Sequence, residues 1–128
     1  MRLLLDTHTM IWWVDQDHLL SPSSHAAIAD PANDLLLSAG TIWEIAIKVG
    51  LAKLSLSLPY RQWISQAMAD LEVTVLPVPV EYADVQAELP KHHRDPFDRL
   101  LVAQAIVENV PLVSNDAIFD QYGITRVW

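Results

Sequence analysis

Leu3-Leu4-Leu5-Asp6 is the stretch on which the reading of this chain turns. Three consecutive apolar residues without polar alternation suit a strand buried on both faces, and such strands belong to parallel sheets covered by helices. The signature recurs at Leu35-Leu36-Leu37, and β-branched or apolar runs follow at Val73 to Leu76, Leu112-Val113 and Ile124 to Val127. Helical segments lie between them. Met10 to Val14 is an apolar block of helical or mixed character, and Ser21-Pro22 offers an N-cap with Pro at the first helical position, closed by Asp30-Pro31. Ser38 to Thr41 caps a helix reaching Val49, with Gly50 as its C-terminal stop. Residues 51–59 alternate apolar and polar and read as a loop with a short extended piece. Tyr60 to Leu71 is helical with Ile64, Ala67, Met68 and Leu71 on one face, and residues 80–89 give a helix ended by Pro90. Asp95-Pro96 opens a helix, apolar on most faces through Val107 and stopped by Asn109, which belongs deep in the fold. Asp116 to Gln121 reads as a short helix. The alternation predicts an α/β domain with a parallel sheet covered on both faces, occupying residues 1–128 as one unit.

The length of 128 residues is that of a single domain, and an apolar content of 52% is enough for a core without covalent staples. The chain has no cysteine, which excludes disulfides, thiolate metal sites and cysteine nucleophiles. Asp6 interrupts the first apolar run too early for a secretory signal, and no stretch approaches the roughly 20 apolar residues of a membrane span. A cytoplasmic protein without membrane attachment is expected. The net charge of −8, from 8 Lys and Arg against 16 Asp and Glu, argues against non-specific nucleic-acid binding, which depends on basic side chains at phosphates.

The acids are informative by position. Asp6 directly follows the first strand, Glu44 lies in the helix after the second, Asp98 in the first turn of the buried helix, and Asp116 just beyond the fourth strand. In open α/β sheets ligands bind outside the carboxyl ends of the strands, so these four side chains are expected in one cleft. Clustered carboxylates raise one another's pKa, a conflict that a hard divalent cation resolves. An all-oxygen site suits Mg²⁺ or Mn²⁺, and such an ion activates water and screens phosphate charge without a nucleophilic side chain. Each acid also has a plainer alternative. Asp6 can cap the following helix, Glu44 can pair with Lys48 or complete a capping box with Thr41, Asp95 and Asp98 suit N-cap and N3 positions around Pro96, and Asp116 can be a turn residue.

The motifs resemble those of the PIN-domain family, in particular the VapC-like toxins of bacterial toxin–antitoxin pairs. Leu3-Leu4-Leu5-Asp6-Thr7-His8 resembles the family's opening, Ser38 to Ile45 its second acidic motif, and Leu112-Val113-Ser114-Asn115-Asp116 its last. The most specific match is His93-Arg94-Asp95-Pro96-Phe97-Asp98-Arg99-Leu100-Leu101-Val102-Ala103-Gln104-Ala105. The resemblance implies a Rossmann-like three-layer α/β/α sandwich, Mg²⁺- or Mn²⁺-dependent hydrolysis of RNA by metal-activated water, a small antitoxin partner and a homodimer. It assigns metal binding and catalysis to Asp6, Glu44, Asp98 and Asp116, the last being the position that varies most in the family. Thr7, Asp95 and Asn115 become supporting residues around these acids.

Lys91, His92, His93, Arg94 and Arg99 make the densest basic segment of the chain. Lys91, Arg94 and Arg99 are expected to contact RNA phosphates, against the alternative of a solvated loop with Arg99 bridging to an acid. His8 is open to a supporting or proton-donating role, with a satisfied structural histidine as the plainer reading. Trp12, Trp13, Trp43, Trp63 and Trp128 are core or interface candidates, and nothing in their spacing singles one out for stacking on bases. Ile11-Trp12-Trp13 suits a dimer contact or the core. Two other enzyme classes share an Asp after an apolar strand. A haloacid-dehalogenase-type phosphatase wants a second Asp where His8 stands, and a response-regulator receiver wants a Lys after its last strand, where Ser114-Asn115-Asp116 follow Val113. A PIN fold that only binds a partner is a third alternative, which the full set of acids disfavours.

Overall fold

The two leucine runs pair with each other. In the computed structural model, which describes residues 1–128, β1 (Arg2–Leu5) lies parallel to β2 (Asp34–Ser38), with Leu3, Leu4 and Leu5 opposite Leu35, Leu36 and Leu37. β2 pairs with β3 (Thr74–Leu76), β1 with β4 (Leu112–Val113), and β4 with β5 (Arg126–Val127), all parallel. The strand order is therefore β3-β2-β1-β4-β5. Order runs outward from β1 to β3 and then reverses to the far side of β1, so the crevice between β1 and β4 is the switch point where a ligand site is expected.

Side-chain alternation sorts the sheet into two faces. Leu3, Leu5, Leu35, Leu37 and Val113 pack on one side with Met10, Ile28, Ile45, Trp63 and Ala67. These come from α1 (Thr7–Asp15), α2 (Pro22–Ala29), α3 (Ala39–Gly50) and α4 (Tyr60–Leu71). Leu4, Leu36, Leu76 and Leu112 pack on the other side with Leu101, Val102 and Ala105 of α6 (Pro96–Glu108) and with Phe119. α5 (Val80–Ala87) lies against α6 through Tyr82, Leu100 and Ala103. The result is the three-layer α/β/α sandwich with a central parallel sheet. α6 buries residues 100–105 consecutively, which explains why its sequence shows no single apolar stripe.

Most helix ends follow their sequence signals. Ser21 accepts a hydrogen bond from the Ser24 N–H at 3.0 Å, and Asp95 accepts from the Phe97 N–H at 2.7 Å. Asn109 ends α6 in the left-handed region at φ 52°. Three details differ. α3 continues through Gly50, and the left-handed residue beyond it is Ala52 at φ 57°. Residues 51–59 form no strand; their alternation lets Leu54 and Leu56 pack down on the core. Asp15 ties this loop to α1, accepting from the Ser57 N–H at 3.0 Å, the Ser57 hydroxyl at 2.6 Å and the Trp63 indole at 2.9 Å. The last strand is also only Arg126–Val127. Ile11 is buried, and Trp12 and Trp13 are half-buried against the core, so the cluster packs within the domain while part of each indole stays at the surface.

Candidate active site

Asp6 stands at the carboxyl end of β1 and is both N-cap of α1 and part of the switch-point crevice. Its backbone N–H donates to the Val113 carbonyl at 3.2 Å across that crevice. One carboxylate oxygen accepts from the Thr9 N–H at 2.7 Å, and the other accepts from the Ser114 hydroxyl at 2.6 Å. Ser114 in turn accepts from the Asp116 N–H at 3.1 Å. One hydroxyl at the end of β4 therefore links two of the four expected acids. Burial pushes the Asp6 carboxyl above its ordinary range, opposed by the bonds from Ser114 and Thr9.

Glu44 points inward from α3 and is 4% exposed, which excludes a freely solvated side chain. The Thr7 hydroxyl donates to one of its oxygens at 2.6 Å and lies 3.2 Å from the Thr41 hydroxyl. Lys48, one turn further along α3, donates to the other oxygen at 2.6 Å. That bond raises the Lys48 ammonium, which also feels Asp95 and Asp98. Lys48 is thus the resident cation of the acidic cleft. The i,i+4 pair foreseen as a plain alternative for Glu44 forms inside the site.

Asp98 occupies the first turn of α6 with Asp95 as the cap beneath it. Burial and the neighbouring carboxylates of Asp95, Glu44 and Asp6 raise it to about 6, against an opposing effect of His93. Contacts between their elements bring these acids to the same end of the sheet: Thr7, next to Asp6, bonds Glu44, and α3 meets α6 where Gly40 lies against Leu100. Gly40 permits it. A Cβ there would stand 2.5 Å from a Leu100 methyl and 3.2 Å from the Ser38 hydroxyl, so glycine lets the start of α3 approach α6 with the Leu100 side chain undisturbed.

Asp116 is held from the other side. Its carboxylate caps the 3₁₀ turn Ala117–Tyr122 through the Ile118 N–H at 3.0 Å and contacts His93 Nε2 at 2.7 Å. His93 is held from its other side by Tyr122. Tyr122 Oη accepts from the His93 backbone N–H at 2.9 Å and lies 3.0 Å from His93 Nδ1. His93 therefore bridges Tyr122 and Asp116 through its two ring nitrogens. The ring also stacks on Tyr122 and packs against Phe119.

Of the supporting residues, Thr7 and Asp95 touch the acids as described. Asn115 is exposed, and its neighbour Ser114 makes the bond to Asp6 instead. Lys91, His93, Arg94 and Arg99 line an open cavity of about 500 Å³. Arg99 is partly committed elsewhere, with guanidinium nitrogens donating to the carbonyls of Pro90 at 2.9 Å, Gln86 at 3.0 Å and Leu89 at 3.3 Å. It fastens the end of α5 and the basic loop to α6. The roles of Ser114 and His93 were missed from sequence, although both lie within quoted motifs; Ser114 is one residue from Asn115, and its orientation depends on where β4 ends.

The family model of the PIN domain matches residues 3–124, nearly the whole of this chain. This chain belongs to the PIN-domain family. The phosphatase and receiver alternatives are thereby set aside. Ribonuclease VapC22 of Mycobacterium tuberculosis is 32% identical over 114 residues, which span 89% of this PIN domain and 86% of that protein. Among solved structures, VapBC2 from Rickettsia felis, bound to a DNA fragment from its promoter, superposes with a TM-score of 0.74 at 16% identity. The match covers 98% of this PIN domain and 97% of that chain. VapBC-5 of Mycobacterium tuberculosis, a member of the VapBC family of toxin-antitoxin systems, gives 0.58 at 20% identity over 94% and 89%. At these identities the structural likeness bears on the fold of this PIN domain.

The donor set of the cleft is chemically that of a hard-cation site: carboxylate oxygens, no sulfur, and mutual repulsion that a dication relieves. As the side chains stand, no three acidic or histidine groups gather on a common point. Glu44 is turned to Thr7 and Lys48, Asp6 to Thr9 and Ser114, and Asp116 to His93. No hydrogen bond holds the Asp98 carboxylate, whose pKa is raised by burial first and by neighbouring acids second.

Proposed function

We propose that this PIN domain is a Mg²⁺- or Mn²⁺-dependent endoribonuclease and the toxin of a toxin–antitoxin pair. The carrying observation is the convergence of the elements that hold these acids, with Thr7 beside Asp6 bonded to Glu44 at 2.6 Å and α3 meeting α6 at Gly40 and Leu100, in a family whose curated relative is a ribonuclease. Asp6, Glu44, Asp98 and Asp116 are the residues that would hold the ion. When bound, it would neutralise the cluster, polarise the phosphodiester and favour ionisation of an attacking water. The chain's own groups prepare for this. Thr9 and Ser114 fix Asp6, Thr7 orients Glu44, and His93 holds Asp116.

Lys91 and Arg94, on the basic rim before α6, are assigned to the RNA phosphates on either side of the scissile bond. Arg99 serves mainly to position that rim. Confining positive charge to one rim reconciles RNA binding with a net charge of −8. The same negative balance suits a small antitoxin that presents basic residues. A second copy of the chain is the further expected partner. Trp43, Ile47 and Leu51, exposed at i, i+4 and i+8 along and just past α3, are the apolar surface available for one of these contacts.

The test is incubation of the purified protein with structured RNAs, with and without Mn²⁺. Cleavage is expected only with the metal. Asp6→Asn is expected to reduce it by more than the roughly 10- to 100-fold typical of losing an outer partner of a metal site. A folded protein that leaves every RNA intact with Mn²⁺ present would instead support a partner-binding module.

A further inference from the structure

The face of α1 that leads away from Asp6 carries a second feature, which the acids do not use. His8, exposed in the first turn, stands 5.8 Å from Trp12 between ring centroids at 50°, and Trp12 stands 5.9 Å from Trp128 at 60°. His8 and Trp12 form one wall of an open cleft of about 390 Å³, closed on the other side by the loop carrying Ser55 and Leu56. Ile11 contributes to its apolar lining, and the exposed Gln16 and Ser55 offer hydrogen-bond donors and acceptors along its edge. The two walls are not independent, because the Asp15 carboxylate fastens Ser57 and the buried Trp63 to α1. The cleft is therefore preorganised, and its first lining residue, His8, follows Asp6 by two positions along α1.

A flat ring face beside polar edge groups matches a flat aromatic ligand with a hydrogen-bonding rim. We infer that this cleft is a nucleobase subsite, in which the base of a nucleotide flanking the scissile phosphate packs against the tilted rings of His8 and Trp12 while Gln16 and Ser55 meet its edge. The inference rests on the RNA-cleaving reading and assigns a substrate position within it. In that reading the basic rim before α6 grips a phosphate and this cleft takes a base of the same RNA chain.

The experiment is an NMR titration of the metal-free protein with each of the four ribonucleoside 5′-monophosphates, and with ribose 5-phosphate as the probe without a base. The Trp12 indole N–H resonance, identified by its loss in Trp12→Phe, is expected to move with at least one nucleotide and to stay still with ribose 5-phosphate. His8→Ala, an exposed change that leaves the core intact, is expected to weaken that nucleotide about tenfold, equivalent to ~1.4 kcal/mol and within the range for one stacked base. Responses of the Lys91 and Arg94 amides to ribose 5-phosphate should be unaffected by the substitution. A Trp12 indole that ignores all four nucleotides, or responds equally to ribose 5-phosphate, would overturn the subsite. If Mn²⁺-dependent RNA cleavage persists in that case, the subsite alone is lost; if cleavage is absent as well, the ribonuclease reading falls with it.

Discussion

Asp98 shows what a cluster of acids does to one of its members. With its folded value raised from 3.8 to about 6, the folded chain binds more protons than the unfolded chain between those limits. Stability therefore falls as pH rises through that window and stays lower above it. Without divalent metal, Asp98→Asn should stabilise the protein at neutral pH by ~1–2 kcal/mol, a figure reduced because the side chain is partly solvated. The gain should vanish below pH 3.8. Adding Mn²⁺ should stabilise the wild type more than the variant. Denaturant unfolding of both proteins across pH checks this, and a stability difference that ignores pH would mean that Asp98 is not strained. The positions of the acids were legible in sequence because each follows a strand or opens a helix. Their immediate partners were not. Ser114 reaches Asp6 across 108 residues of chain, and which of Ser114 and Asn115 turns inward depends on the exact end of a two-residue strand.

At the scale of elements, α3 and α6 are the pair that matters, because one carries Glu44 and the other Asp98. Their approach depends on Gly40 fitting against Leu100. Gly40→Ala would force that leucine and the start of α3 to move, at a cost of ~1–2 kcal/mol, in the usual range for an overpacked core. Separating the helices would also turn Glu44 away from Asp98. The variant should therefore lose Mn²⁺ affinity beyond anything its lower melting temperature explains, measured by calorimetric titration where it is still fully folded. Undiminished affinity would show that the spacing of these helices does not set the site. Helix ends were readable wherever a single side chain makes the cap, as at Ser21, Asp95 and Asn109. They were misread where packing decides, as with Gly50 and the loop of residues 51–59. There, the alternation that suggests an extended piece serves instead to pack Leu54 and Leu56 on the core.

For the whole molecule, topology carries the function. Reversal of strand order at β1 and β4 opens a crevice at their carboxyl ends. The two faces of the sheet then deliver α1 and α3 from one side and α6 from the other to the rim of that crevice. The parallel sheet was legible because both leucine runs lack polar alternation, and their pairing at Leu3–Leu5 with Leu35–Leu37 follows from burial on both faces. The order of strands was not legible, since a two-residue β4 gives no sign of which neighbour it will join. A fold of net charge −8 that gathers acids at its switch point is expected to concentrate a divalent cation there. The most direct measurement is the anomalous scattering of Mn²⁺ in crystals of the protein grown or soaked with that ion. The prediction is a peak in the cleft, within bonding distance of the carboxylates of Asp6, Glu44 and Asp98; strong Mn²⁺ peaks found only elsewhere on the molecule, with this cleft empty, would contradict it.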